Sequence, residues 1–152
     1  MTPSNVEPTD DYEALIACLN GHHVEYVVVG AYAVGFHGFI RATGDMDILV
    51  KPSAENAARI AAAVKGFIGA DIDPAELAQE KARATLGREP NSIDILTSIK
   101  GVTWEQAWSS RAVGKIGEQA THFISLERLV ENKRAVGRDK DRFDLRGLGA
   151  EK

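Results

Sequence analysis

The stretch "DMDILV", residues 45 to 50, constrains this chain more than any other. It is an apolar run fit for the interior of a sheet, yet two carboxylates stand at its start. Acidic residues often end a strand as turn or cap residues, and Gly44-Asp45 suits a turn. The alternation asks for more. In a strand, successive side chains point to opposite faces, so Asp45 and Asp47 share one face while Met46 and Ile48 take the other. Two carboxylates that close raise each other's cost of ionisation and need a cation, a proton or good solvation. A divalent metal meets that need. Oxygen-only donors favour magnesium, calcium or manganese over zinc or copper.

The flanking elements frame this strand. Tyr12, Leu15, Ile16 and Leu19 fall at helical spacing in "DDYEALIACLN", with acidic residues at the start and Gly21 at the end. "VEYVVVG" reads as a short buried strand, and "AYAVGFHGF" as a helix that opens directly on its end at Gly30. Lys51-Pro52 stops the acidic strand, expected over residues 45 to 51. Ser53 then caps the amphipathic helix "AENAARIAAAVKGF". Asp73 and Pro74 start a short helix or turn. Residues 82 to 97 read as strand, turn and strand, with Gly87 to Asn91 in the turn. On the second of these strands Ser92, Asp94 and Leu96 face one way, which puts a third carboxylate inside an apolar strand.

Thr103 caps "WEQAWSSR", where Trp104 and Trp108 lie four apart on one face; core packing is favoured over a base-stacking platform. "AVGKIGEQATHFI" is expected to supply edge strands. Ser125 caps "LERLVENKRAV", Gly137 stops it, and "RDKDRFDLRGL" forms the last helix. Together these predict an α/β (α+β) domain: a mixed sheet with helices packed on it.

At 152 residues the chain supports one core, so residues 1–9 are read as a loose N-terminus and 10–152 as a single domain. Cys18 is the only cysteine, which excludes an internal disulfide and a thiolate cluster, and it is read as a small buried residue. A formal charge of −4 gives no global reason to bind nucleic acid. The start carries no basic or apolar leader and nothing approaches the ~20 apolar residues of a membrane span, so cytoplasm and no membrane partner are expected. His22, His23, His37 and His122 lack the helical spacing of a zinc site and are read as core or surface histidines.

If register joins Asp45, Asp47 and Asp94, they form a pocket for one or two magnesium ions, ~4 Å apart when two are bound, suited to phosphoryl or nucleotidyl transfer. Manganese could replace magnesium. The turn at Gly30 aims free N–H groups and a helix dipole at an anion. "GAYAVGFH" spaces Gly30 and Gly35 as a Walker A loop does. Phe36 and His37 then occupy the lysine and hydroxyl places, which sets a Walker ATPase aside.

These residues resemble the nucleotidyltransferase superfamily that includes DNA polymerase beta, through "VVVGAYA", "DMDILV" and "SIDIL". The longer stretches "VVVGAYAVGFHGFIRATGDMDILV" and "ISLERLVENKRAVGRDKDRFDL" look more narrowly like small bacterial and archaeal proteins related to the AbiEii toxin. The likeness runs from about Val24 to Leu145. It implies a nucleotidyltransferase fold, with Asp45, Asp47 and Asp94 catalytic and metal-binding. It also implies that Gly30 and Ala31 form the phosphate-side turn, and matches Arg41 and Thr43 to the "RAT" before the acidic pair. Ala31 departs from the usual Gly or Ser.

In such relatives the C-terminal charged segment packs near the cleft, so Lys133 and Lys140 become contacts for triphosphate or acceptor, oriented by Asp141 and Asp144. Composition alone reads the same charges as a solvated, salt-bridged helix face. The implied reaction transfers an NMP from an NTP to a protein or RNA hydroxyl, with a cognate protein or a homodimer as possible partner. Two alternatives stand beside it: a catalytically silent nucleotide-binding or toxin–antitoxin partner module, and, ranked last, a nucleic-acid binder using the C-terminal cations.

Overall fold

The structure, a computed structural model, describes residues 5–6, 10–41, 45–88 and 91–151. In chain order its elements are β1 (Asn5–Val6), α1 (Asp10–Gly21), β2 (Tyr26–Val29), α2 (Gly30–Phe36), β3 (Asp45–Val50), α3 (Ala54–Ile68) and α4 (Pro74–Leu77). There follow β4 (Arg83–Leu86), β5 (Ser92–Leu96), α5 (Trp104–Ser109), β6 (Ala112–Ile116), β7 (Gln119–Phe123), α6 (Leu126–Val136) and α7 (Asp139–Gly147). The strands form one sheet in the order β1-β6-β7-β2-β3-β5-β4. It is mixed, as expected: β3 runs parallel to β5 and antiparallel to β2, and β4–β5 and β6–β7 are antiparallel pairs.

Local chemistry sets the boundaries. The side chains of Ser53, Asp73, Thr103 and Ser125 each accept a backbone N–H at the start of α3, α4, α5 and α6. Gly137, at φ 70°, closes α6 in the left-handed conformation that glycine adopts without a steric cost. Tyr12, Leu15, Ile16 and Leu19 of α1 are all buried, confirming the helical stripe, and α1 packs beside α3. Asn56 is the polar exception inside α3. Its side chain accepts from Glu25 N at 2.8 Å and donates to the carbonyls of Glu25 (3.0 Å) and Lys51 (3.1 Å), tying α3 to β2 and the end of β3.

Two expectations need adjustment. The hairpin β6–β7 is not at the edge: β7 lies between β6 and β2, with Thr121 and Phe123 buried and Ile124 N–H donating to the Val28 carbonyl at 3.0 Å. Its alternation marks one buried face, which edge and inner strands share. Asn5 and Val6, within the stretch expected to be loose, pair with β6 as β1. Trp104 and Trp108 stack at 5.3 Å against the core, with the Arg111 guanidinium 3.6 Å over the Trp108 ring, so packing is their role. Cys18 is half-buried against the same core.

Candidate active site

The parallel register of β3 and β5 pairs Asp45 with Ser92 and Asp47 with Asp94. All four side chains therefore lie on one sheet face, as strand alternation predicts. The Ser92 hydroxyl donates to Asp45. On the outer side, β4 places Thr85 opposite Asp94. Thr85 Oγ1 donates to Asp94 Oδ1 at 2.7 Å, and Arg83 Nη2 donates to Asp94 Oδ2 at 2.7 Å. Three carboxylates thus form a row that one strand alone would not make.

Asp47 is the strained member. Burial pushes its carboxyl above the ordinary range, and Asp94 and Asp45 push it further, against the opposing pull of Lys133 and Lys140. A Cβ on residue 30 would clash with its Oδ2, and Gly30 adopts φ +66°. Glycine is required there on both counts, for the left-handed turn into α2 and for the approach of Asp47. Tyr12 of α1 donates its hydroxyl to the Ser92 carbonyl at 3.1 Å.

A buried ion network stands behind Asp47. Lys133 Nζ lies 3.2 Å from Asp141 Oδ1 and 3.1 Å from Asp144 Oδ2, and all three residues are buried. Arg41 clasps Asp144 through Nε (2.6 Å) and Nη2 (2.9 Å). Arg138 clasps Asp141 through Nε (2.8 Å) and Nη2 (3.2 Å). Burial alone would raise both carboxyls, but Arg41 and Lys133 hold Asp144 below its ordinary value, and Arg138 and Lys133 do so for Asp141. Three cations against two anions leave the cluster net positive, and its field reaches Asp47 through Lys133 and Arg138.

A cleft of about 250 Å³ joins the two halves; Gly30, Asp47, Lys100, Lys133, Arg138 and Asp141 are among its walls. Of the residues singled out from sequence, Gly30, Asp47 and Lys133 meet in it. Asp45 and Asp94 flank Asp47 on the sheet, and Ala31 follows Gly30 in α2, half-buried. Arg41 faces Asp144, while Lys140 is exposed and acts on Asp47 only through its charge. Thr43 lies outside the described residues. Asp141 and Asp144 bond Lys133 as partners orienting it, and they do so from the interior, against the solvated reading of this segment.

Sequence reasoning missed Arg83, Thr85 and Arg138. Ser92 carried a signal, since it shares a face with Asp94; Arg83 and Thr85 carried none without the β4–β5 register. The histidines stay apart from the site: His22 and His23 are exposed, and His37 Nε2 pairs with the Ile124 carbonyl at 2.7 Å. Burial holds His37 and His122 below the ordinary imidazole range.

Among the described residues no three His, Cys, Asp or Glu side chains form a ready-made metal cage. The donor chemistry does fit a hard cation. Asp45 and Asp47 offer carboxylate oxygens on one face, and Asp94 pairs directly with Asp47. No helix among the described residues is long and apolar enough to cross a membrane.

Neither protein-family models nor curated proteins match the chain. Among solved structures it is similar to the crystal structure of an antigenic nucleotidyltransferase-like protein from Paracoccidioides brasiliensis. The TM-score is 0.57 at 15% identity, covering 95% of this chain and 76% of that one. With the mixed sheet order, this likeness shows that the chain shares the fold of that nucleotidyltransferase-like protein.

Proposed function

We propose that the chain is a magnesium-dependent nucleotidyltransferase, akin to the AbiEii-related proteins its motifs resemble. The observation that carries the reading is the Asp47–Asp94 pairing beside Asp45, with a net positive cluster closing the opposite wall of the cleft. Asp45 and Asp47, joined by Asp94, are the residues that would hold magnesium or manganese. Bound there, the metal supplies neutralisation of the triphosphate and acidifies the acceptor hydroxyl.

The chain's own groups do the rest. The N–H groups at the Gly30–Ala31 turn, with Lys133, Arg138 and Lys140, attract and orient the phosphates of an NTP. The acceptor hydroxyl, activated with the help of Asp94, attacks the α-phosphorus in line and loses its proton to solvent. The bond to the β-phosphate breaks and pyrophosphate leaves. The acceptor is a protein or RNA hydroxyl, and a cognate protein or second copy completes its binding surface. Release of pyrophosphate by purified protein, NTP, magnesium and a cell extract, abolished by Asp45→Asn/Asp47→Asn, tests the assignment; equal release by that folded variant refutes it.

Two observations favour a second reading. Both Asp94 oxygens already have partners, and the cleft is at the small end for a nucleotide site. A catalytically silent module, retaining nucleotide binding or acting as one half of a toxin–antitoxin pair, fits that geometry. Its biological effect would survive Asp45→Asn/Asp47→Asn.

A further inference from the structure

We infer that Arg83 is a displaceable counter-ion for Asp94, holding the third carboxylate of the row and surrendering it to an arriving divalent cation. This rests on the metal assignment above.

The contrast between the two partners is the basis. Asp94 is sunk in the sheet with a side chain only 9% exposed, whereas the Arg83 side chain is 64% exposed. Arg83 sits on β4, the outermost strand on that side of the sheet, and reaches Asp94 diagonally, since its own Cα partner is Leu96. It makes a single-pronged contact, Nη2 to Oδ2 at 2.7 Å, unlike the two-pronged clasps of Arg41 on Asp144 and Arg138 on Asp141. Geometry of that kind is cheap to break, because a solvent-facing ion pair gains little and leaves its guanidinium well hydrated when released.

Electrostatics says why the contact exists. Across the sheet face, charge runs from the positive cluster to Asp47, then Asp94, then Arg83, so each end of the like-charged Asp47–Asp94 pair has a cation beside it. The inner cation cannot leave: Lys133 is buried between two carboxylates. The outer one can. A metal entering beside Asp47 needs Asp94 and supplies the charge Arg83 had supplied. Thr85 keeps its hydrogen bond to Asp94 Oδ1, which fixes the carboxylate while Oδ2 changes partner. A guanidinium that merely oriented Asp94 would have the opposite effect on metal affinity, because its removal would loosen the ligand.

The test is Mn2+ binding to the 152-residue chain, followed by the electron paramagnetic resonance of free Mn2+, for wild type, Arg83→Gln, Asp94→Asn and the double variant. Arg88→Gln serves as a charge control on the same hairpin. Arg83→Gln binds Mn2+ about two- to fivefold tighter than wild type, the range that release of an ion pair through its exposed guanidinium partner allows. Asp94→Asn binds more weakly, Arg83→Gln changes nothing further in the Asp94→Asn background, and Arg88→Gln matches wild type. Unchanged or weaker binding by Arg83→Gln overturns the inference while leaving the metal site standing, as does tightening that persists without Asp94 or is copied by Arg88→Gln. If wild type itself takes up no Mn2+, the metal assignment falls and this inference with it.

Discussion

Asp47 and Asp94 face one another on adjacent parallel strands, Cα paired with Cα, and each has its own cationic neighbour on the far side, Lys133 for one and Arg83 for the other. The acidic row is thereby made tolerable in the metal-free fold without being neutralised.

Asp47→Asn therefore stabilises the metal-free protein. A carboxyl raised by burial and by Asp94 and Asp45 destabilises the fold when ionised. That penalty is absent below the unfolded value of 3.8, grows as pH rises, and is complete above the raised folded value. Urea midpoints for wild type and variant should coincide near pH 3 and separate, with the variant higher, at pH 7 and above. Coincidence at pH 7 would show that Asp47 carries no such penalty.

Asp144→Asn has the contrary effect. It removes the anion shared by Arg41 and Lys133 and leaves the buried ammonium with Asp141 alone, which Arg138 also claims, so chemical denaturation should show a loss of about 3–5 kcal/mol. Arg59→Gln, which breaks an exposed pair with Glu55 on α3, should change stability by less than about 1 kcal/mol.

The same network sets acid stability. The Asp141 and Asp144 carboxyls are held below their ordinary value, so their contribution is whole above the unfolded 3.8 and fades as pH falls through the depressed folded values. Cooperative acid unfolding below that point is expected, and in Asp144→Asn it should begin at higher pH. Identical acid transitions in the two proteins would contradict this.

Gly30→Ala tests the turn. A left-handed φ costs a non-glycine residue about 1–2 kcal/mol, and the added methyl also meets Asp47 Oδ2. Loss of stability should come with weaker Mn2+ binding, because Asp47 must shift. Gly69→Ala, at a comparable φ of 70° with open space around it, should share the stability loss and spare the metal.

Much of this architecture was legible in the sequence because its signals are local. Ser53, Asp73, Thr103 and Ser125 announce their helices through the backbone groups they cap. Alternation in "DMDILV" put Asp45 and Asp47 on one face without knowledge of any neighbour. What escaped is set by register and distance along the chain. Arg83 finds Asp94 only through the pairing of β4 with β5. Arg41 finds Asp144 across 103 positions. For Lys133, Asp141 and Asp144, charge patterning pointed to water, because opposite charges spaced along a helix read alike whether solvent or a second helix covers them. Here α6 and α7 fold on one another and cover them together.

The most direct test of nucleotidyl transfer is label transfer. Purified protein is incubated with magnesium, host lysate and each NTP labelled at the α-phosphate, beside an Asp45→Asn/Asp47→Asn variant of verified fold. A labelled protein or RNA band that is absent with the variant is the predicted result, and it identifies the acceptor class. No band with any nucleotide, or equal labelling by the variant, contradicts the account.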